Sequence, residues 1–535
     1  MRSKNHKHMS VTNNFSVTGR AGDSLNPQQK ISAIAGMAGL LILVLAIFNI
    51  SFQPRVLWLS LALGLLTGGI IWYAKASYAG TSEGIKNDGV FFKSISSRGL
   101  WAYLTGVGLT GFYIVLYFYP EYLGLVKDGE NTGVISLFDP LSKALSGNPA
   151  SQWFVYGTLY TLVILGFGIK FIWKYRHSQY QLIRTISVMF FQTSFAFLIP
   201  EFMARLNGDK MNLPYYDLKN IWPLNYYNFD QYRVDAMISS GDIGLAFLIF
   251  GVASIFIITP ILTYFYGKRW YCSWVCGCGG LAETSGDSFR HLSDKSLSAW
   301  KLERWLIHAV LVFVIIMTTG VIYSYLSTDQ YWLHGDTFLW SVAILLSLVF
   351  AGVMIFKGKQ FKKDAKIGAI GFLTIILVLI GLHSFNGTQL FLFDTYEIRS
   401  TYGFLIGSIF SGVVGTGFYP IFGNRVWCRF GCPMAAILGF QQRLFSKFRI
   451  TTNGGQCISC GNCSTYCEMG IDVRAYAQKG QNIVRSSCVG CGICSAVCPR
   501  GVLNLENDSP SGRINPKDVL LGNDVDLMDY VNGKL

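Results

Sequence analysis

The sequence predicts an all-α polytopic membrane protein of about 10 transmembrane helices, closed by a small cysteine-rich C-terminal α+β domain. Three observations predict it. Of 535 residues, 51% are apolar and only 14% are charged, where soluble domains carry about 25% charged residues. Apolar runs near the ~20 residues that cross a bilayer recur through most of the chain. All 13 cysteines lie at or after Cys272, so an apolar body and a cysteine-rich end are separate parts. A disordered chain, a coiled coil and an ordinary cytosolic enzyme are excluded.

Ten apolar stretches mark the helices: 31–50, 56–76, 100–119, 153–173, 185–203, 243–266, 305–326, 339–356, 367–382 and 404–423. The first follows about thirty mostly polar residues and lacks a small-residue cleavage pattern, so it reads as a retained helix rather than a signal. With both termini inside, the inner loops before the tail hold 22 Lys/Arg and the outer loops 8. This asymmetry predicts an inner (cytoplasmic) membrane protein with cytoplasmic termini and a cytoplasmic tail. It also accounts for the net charge of +14. The basic residues are spread over loops and form no stripe for a nucleic-acid groove, so the expected partner is the lipid bilayer and no nucleic acid. The domains read as an N-terminal cytoplasmic segment 1–30, a transmembrane domain 31–423, a cytoplasmic linker 424–449, a cysteine-rich domain 450–506 and an acidic extension 507–535.

Within the tail, Cys457-x2-Cys460-x2-Cys463-x3-Cys467 is repeated as Cys488-x2-Cys491-x2-Cys494-x3-Cys498-Pro499. This is the spacing of a bacterial ferredoxin with two [4Fe–4S] clusters, in which the fourth thiolate of each run serves the other cluster. Cys457, Cys460, Cys463 and Cys498 are thus assigned to one cluster, and Cys488, Cys491, Cys494 and Cys467 to the second. Gly461, Gly490 and Gly492 let the backbone wrap a cluster, and Ile458, Val489 and Ile493 are suited to shield it. Zinc knuckles fit eight such cysteines badly, and a reducing cytoplasm disfavours disulfides. Glu468 stands where the ferredoxin pattern has proline, and an acid there is expected to lower a cluster potential.

A second repeat lies at the inner helix ends. Gly267-Lys268-Arg269-Trp270-Tyr271-Cys272-Ser273-Trp274-Val275-Cys276-Gly277 matches Gly423-Asn424-Arg425-Val426-Trp427-Cys428-Arg429-Phe430-Gly431-Cys432-Pro433 as G-x-R-x2-C-x3-C, 156 residues on. Two such copies suggest membrane halves that face each other. Cysteines at i and i+4 share a helix face, so Cys272, Cys276, Cys428 and Cys432 are candidates for a third metal or redox-active thiol centre. The alternative is close packing of small residues, with Arg269 and Arg425 snorkelling to the interface. Cys278 has no counterpart in the second copy.

The paired C-x3-C motifs followed by a two-cluster module resemble the NosR/NapH family of membrane-bound ferredoxin-like 4Fe-4S proteins, and more distantly CcoG-type oxidase assembly factors. The resemblance covers about 243–500. It implies an electron-transfer component of an oxidoreductase system rather than a stand-alone catalyst. Such a component links a cytoplasmic donor or the quinone pool to a membrane or periplasmic respiratory protein, such as a nitrous oxide or nitrate reductase. The alternatives are a maturation factor that reduces metal or thiols for a copper enzyme, and a redox sensor. Gly277 replaces the proline expected after the first pair, and no segment resembles the flavin-binding domain of NosR.

Three weaker signals remain. Tyr215, Tyr216, Trp222, Tyr226, Tyr227, Phe229 and Tyr232 crowd an outer segment and read as an interfacial belt or a docking surface. Glu201 is an acid inside an apolar stretch. His334 and His383 are the histidine pair conceivable for a haem.

Overall fold

The computed structural model describes residues 25–78, 98–127, 129–208, 213–214, 216–328, 331–361, 363–386 and 395–508, with short pieces at 520–521 and 525–526. Most of the 1–30 segment, Tyr215 and most of the acidic extension lie outside them. Among the described residues, nine helices are long and apolar enough to cross a bilayer: Pro27–Ile47, Arg55–Tyr78, Leu100–Phe118, Gln152–Lys174, Gln179–Asn207, Asp242–Tyr266, Leu297–Leu326, Gly335–Lys357 and Ala365–Ser384. They answer the first nine apolar stretches in order. Their outward faces stay apolar, as a lipid-facing surface requires.

The tenth stretch differs. It folds as an α-helix, Thr395–Tyr402, that widens into a π-helix, Gly403–Val414, and resumes after a turn at Tyr419–Phe422. The glycines are the reason. A Cβ at Gly403 would lie 2.7 Å from the Tyr226 hydroxyl, and one at Gly407 3.1 Å from it, so Tyr226 occupies the space that side chains would fill. Such wide turns concentrate at functional sites.

Much of the aromatic segment after Gln179–Asn207 turns inward rather than forming a belt, while Tyr232 stays exposed. Tyr216 and Ile221 are buried, and the Trp222 indole donates to Thr318 Oγ1 at 3.0 Å. It caps the body from the face opposite the tail.

In the tail, strand Phe448–Thr452 pairs antiparallel with Leu503–Asn507, with Ile450 opposite Leu505. Short helices Asn462–Thr465 and Ile493–Ala496 follow Gly461 and Gly492, whose φ of +81° and +73° favour glycine. Residues 424–449 are not a free linker. Met434, Ala435, Ala436 and Leu438 of helix Pro433–Leu444 are buried and join the body to the tail in one core that also holds Cys272, Cys276, Cys428 and Cys432.

Candidate iron–sulfur and thiol centres

The tail brings its eight cysteines together in two groups. Cys457, Cys460, Cys463 and Cys498 line one pocket, with Ile458, Arg474 and Pro499 around it. Burial pushes the Cys463 thiol up to about 12, and Cys498, Cys460 and Cys457 add to the rise. In the second group burial pushes Cys494 well up, reinforced by Cys491, Cys488 and Cys467. Thiolates crowded in this way need a cation to share, which fits a cluster. All 13 cysteines are unbridged.

The two groups differ in exposure. Ile458, beside Cys457, is 51% exposed, whereas the matching Val489, beside Cys488, is 1% exposed. The second loop is covered by the membrane body, which caps four consecutive carbonyls. Gln442 Nε2 donates to the Cys488 carbonyl (2.8 Å), Ser273 Oγ to that of Val489 (2.9 Å), Tyr180 Oη to that of Gly490 (2.8 Å) and Gln181 Nε2 to that of Cys491 (2.8 Å). Buried carbonyls demand such partners. Gly490 is required here as well, because a Cβ would lie 2.6 Å from Arg269 Cβ.

The C-x3-C copies share a backbone course. Gly267 and Gly423 take φ of +67° and +94°. The amides of Cys276 and Cys432 donate five residues back, to Tyr271 (2.8 Å) and Trp427 (2.9 Å). The paired cysteines do not sit on one helix face, which corrects that expectation. Cys272 ends the short helix Arg269–Cys272, and Cys276 is extended, capping Gly277–Thr284. Cys428 lies in the π-helix Trp427–Gly431, and Cys432 is extended, capping Pro433–Leu444. Pro433 disfavours a helical residue before it, which forces the break. The two copies nonetheless meet. Arg425 Nη1 donates to the Cys272 carbonyl (3.3 Å) and to Cys428 Sγ (3.6 Å). Burial pushes Cys272 up to about 12 and raises Cys428 and Cys432, whereas a hydrogen bond from Cys278 brings Cys276 down to about 6.

Neither arginine of the repeat snorkels. Arg425 is 1% exposed and belongs to a buried ionic chain that was not visible in the sequence. It contacts Glu283 and, at 3.1 Å, Glu468. Arg290 bridges Glu468 (2.5 Å) and Asp287 (2.7 Å), and Lys174 reaches Asp287 at 2.8 Å. Arg184 packs on the other oxygen of Glu283. Arg269 instead lies over Phe448, 4.8 Å from the ring centroid. Burial alone would raise Glu468, but Arg290 and Arg425 hold it low. Likewise Lys174 and Arg290 overcome the burial of Asp287 and keep it well below the usual carboxylate range. Glu468, the acid expected to lower a cluster potential, is paired with two guanidiniums, Arg290 and Arg425. Glu283, Glu468 and Cys491 offer ligand atoms within 4.8 Å of one another, but the arginines occupy both carboxylates, leaving no place for a further cation.

Cys278 and Cys428 also line a small cavity with Tyr117, Tyr156, Tyr160, Thr416, Tyr419 and Asn424. Its residues come from four separate stretches of chain, so periodicity alone does not reveal it. The remaining candidates stand apart. Glu201 is half-buried near the end of its span, beside Ser146. His383 Nε2 and Tyr323 Oη are hydrogen-bonded at 2.6 Å, and His334 caps Gly335–Lys357.

Comparison with known proteins agrees with this chemistry. A family model described as a 4Fe-4S dicluster domain matches residues 456–503. Another, described as a 4Fe-4S binding domain, matches twice, at 248–296 and 402–451, once over each copy of the C-x3-C repeat. A protein of Escherichia coli (strain K12) named as an electron transport protein, YccM, is 26% identical over 206 residues, 38% of this chain and 43% of that one. The chain therefore spans less than half the length of the curated relative it matches. No solved structure matches the chain. The chain thus combines a multi-pass helical body with two [4Fe–4S] clusters.

Proposed function

We propose that the protein is a membrane-bound electron carrier. Its exposed loop Cys457–Cys463 meets a donor, and its covered loop Cys488–Cys494 faces the thiols of the membrane body. Cys457, Cys460, Cys463 and Cys498 hold one cluster, and Cys488, Cys491, Cys494 and Cys467 hold the other. When bound, the clusters supply one-electron storage. The carrying observation is the capping of four consecutive carbonyls, from Cys488 to Cys491, by Gln442, Ser273, Tyr180 and Gln181. These donors fix the covered loop against the body and exclude water from it. Cys272, Cys276, Cys428 and Cys432 are the ligands of a third iron–sulfur centre, a reading supported by the family match over both copies. The likeness to YccM supports electron transport, and the resemblance to the NosR/NapH type points to a role in respiration with a periplasmic reductase as acceptor.

The basic residues of the loops, 22 against 8, support a cytoplasmic tail. Reporter fusions test this directly, at Lys359 and Asn148, both exposed. Lys359 should report cytoplasm and Asn148 the opposite side. The reverse pattern would put the donor in the wrong compartment and overturn the proposed direction of contact.

A further inference from the structure

The two copies of the repeat depart from each other just after the second cysteine. Where the second has Pro433 and Met434, the first has Gly277 and Cys278. The structure gives a reason for the glycine. A Cβ at 277 would lie 2.6 Å from Gln192 Oε1 and 2.9 Å from Lys219 Nζ. Gln192 comes from the middle of the Gln179–Asn207 span, about 20 Å of helix rise from either end. Tyr180 and Gln181, at the start of that span, hold the tail. Lys219 follows its other end, so it arrives from the opposite face.

Lys219 is 6% exposed. Its ammonium donates to Gln192 Oε1 at 2.9 Å, a neutral partner. Asp217, near enough for the Lys219 charge to act on its carboxylate, uses its oxygens on the Lys219 amide (3.0 Å) and the Asn220 side chain (2.6 Å) and supplies only part of the balance. The Tyr271 hydroxyl, next to Cys272 in sequence, donates to the Lys219 carbonyl at 3.0 Å and ties the segment to the thiol site. Among the described residues no carboxylate forms an ion pair with this ammonium. A buried cation requires a compensating negative charge. Four thiolates around an iron–sulfur centre carry that charge, and Gly277, which follows Cys276, lies against the Lys219 ammonium.

We propose that Lys219 is a positioning residue of the four-thiol centre. It balances the centre's negative charge from the face opposite the tail, which places the centre part-way along an electron route across the membrane. The proposal rests on the reading of Cys272, Cys276, Cys428 and Cys432 as one ligand set. Each transfer moves one electron, oxidising a one-electron donor on the tail face and reducing a one-electron acceptor on the other. No bond is made or broken.

The test uses the full chain, purified anaerobically, with the midpoint potential of the third centre followed by EPR. Lys219 stabilises the reduced, more negative form. Lys219→Met should therefore lower the potential, shifting the reduced-to-oxidised ratio at least about tenfold, or about 59 mV for one electron. Lys219→Arg should stay near wild type, and the tail clusters should not move. Gly277→Ala, whose methyl group displaces the ammonium, should act in the same direction by less. A wild-type potential in loaded Lys219→Met overturns the role of Lys219. If that variant does not load, an unchanged potential in Gly277→Ala overturns it instead. Iron content separates this from failure of the underlying reading. A wild-type chain holding no more iron than the C272S/C276S/C428S/C432S chain has no third centre. In quinone-free vesicles with dithionite outside and ferricyanide inside, the wild type should bleach ferricyanide and the quadruple variant should not. No bleaching by the wild type overturns the route.

Discussion

Cys428→Ser should remove the signal of the membrane thiol centre and reduce electron delivery beyond the tail to background, while the spectrum of the tail clusters stays that of the wild type. The substitution is nearly isosteric, so the fold is kept. What changes is the ligand. A serine hydroxyl is far harder to deprotonate than a thiol and so cannot supply the thiolate that ligates iron, and Arg425, whose Nη1 lies 3.6 Å from Cys428 Sγ, loses that partner. Cys428 lies in the body, whereas the eight tail cysteines are held by their own loops, so the two effects are separable. Iron analysis, EPR and reoxidation of the reduced tail read them independently. Full electron delivery in Cys428→Ser, or in the Cys272→Ser/Cys428→Ser double variant, would return the repeat to a packing role.

Arg425→Met should destabilise the union of tail and body by about 3–5 kcal/mol, the usual loss when one member of a buried ionic set is removed. The Arg425 side chain is 0% exposed, and it joins Glu283 of the body to Glu468 of the tail. Without it, Glu283 keeps Arg184 and Glu468 keeps Arg290, but two like charges face each other in a dry site. The expected result is a lower unfolding midpoint and protease release of the tail from purified protein. Adding Glu468→Gln should recover part of the loss, because it removes one of the two facing carboxylates. An unchanged midpoint in Arg425→Met would show that the ionic chain does not hold the two parts together.

Hydropathy alone marked the membrane body, because each of the first nine helices must bury its backbone polar groups in lipid and so reads as one apolar run. The tenth was marked but not its form. Its glycines answer to Tyr226, which is distant in sequence. Cysteine spacing was legible because loop geometry around a cluster is local. The i, i+4 argument for Cys272 and Cys276 failed because helix phase ends at a break, and Pro433 in the second copy signals one. Glu468 was visible but its arginine partners were not, since Arg290 and Arg425 are not its neighbours in sequence. Glu283, Arg184 and Lys219 gave no local signal at all. Arg425 and Glu283 are 142 positions apart, and only the fold makes them partners.

The central claim is that the tail carries two clusters and that their loops differ in exposure to solvent. Iron and acid-labile sulfide, counted in the anaerobically purified C272S/C276S/C428S/C432S chain, test it most directly. About eight iron atoms per chain are predicted, falling to about four in that chain with Cys460→Ser added, with the covered cluster still reducible. Stoichiometric zinc and no iron would contradict the account.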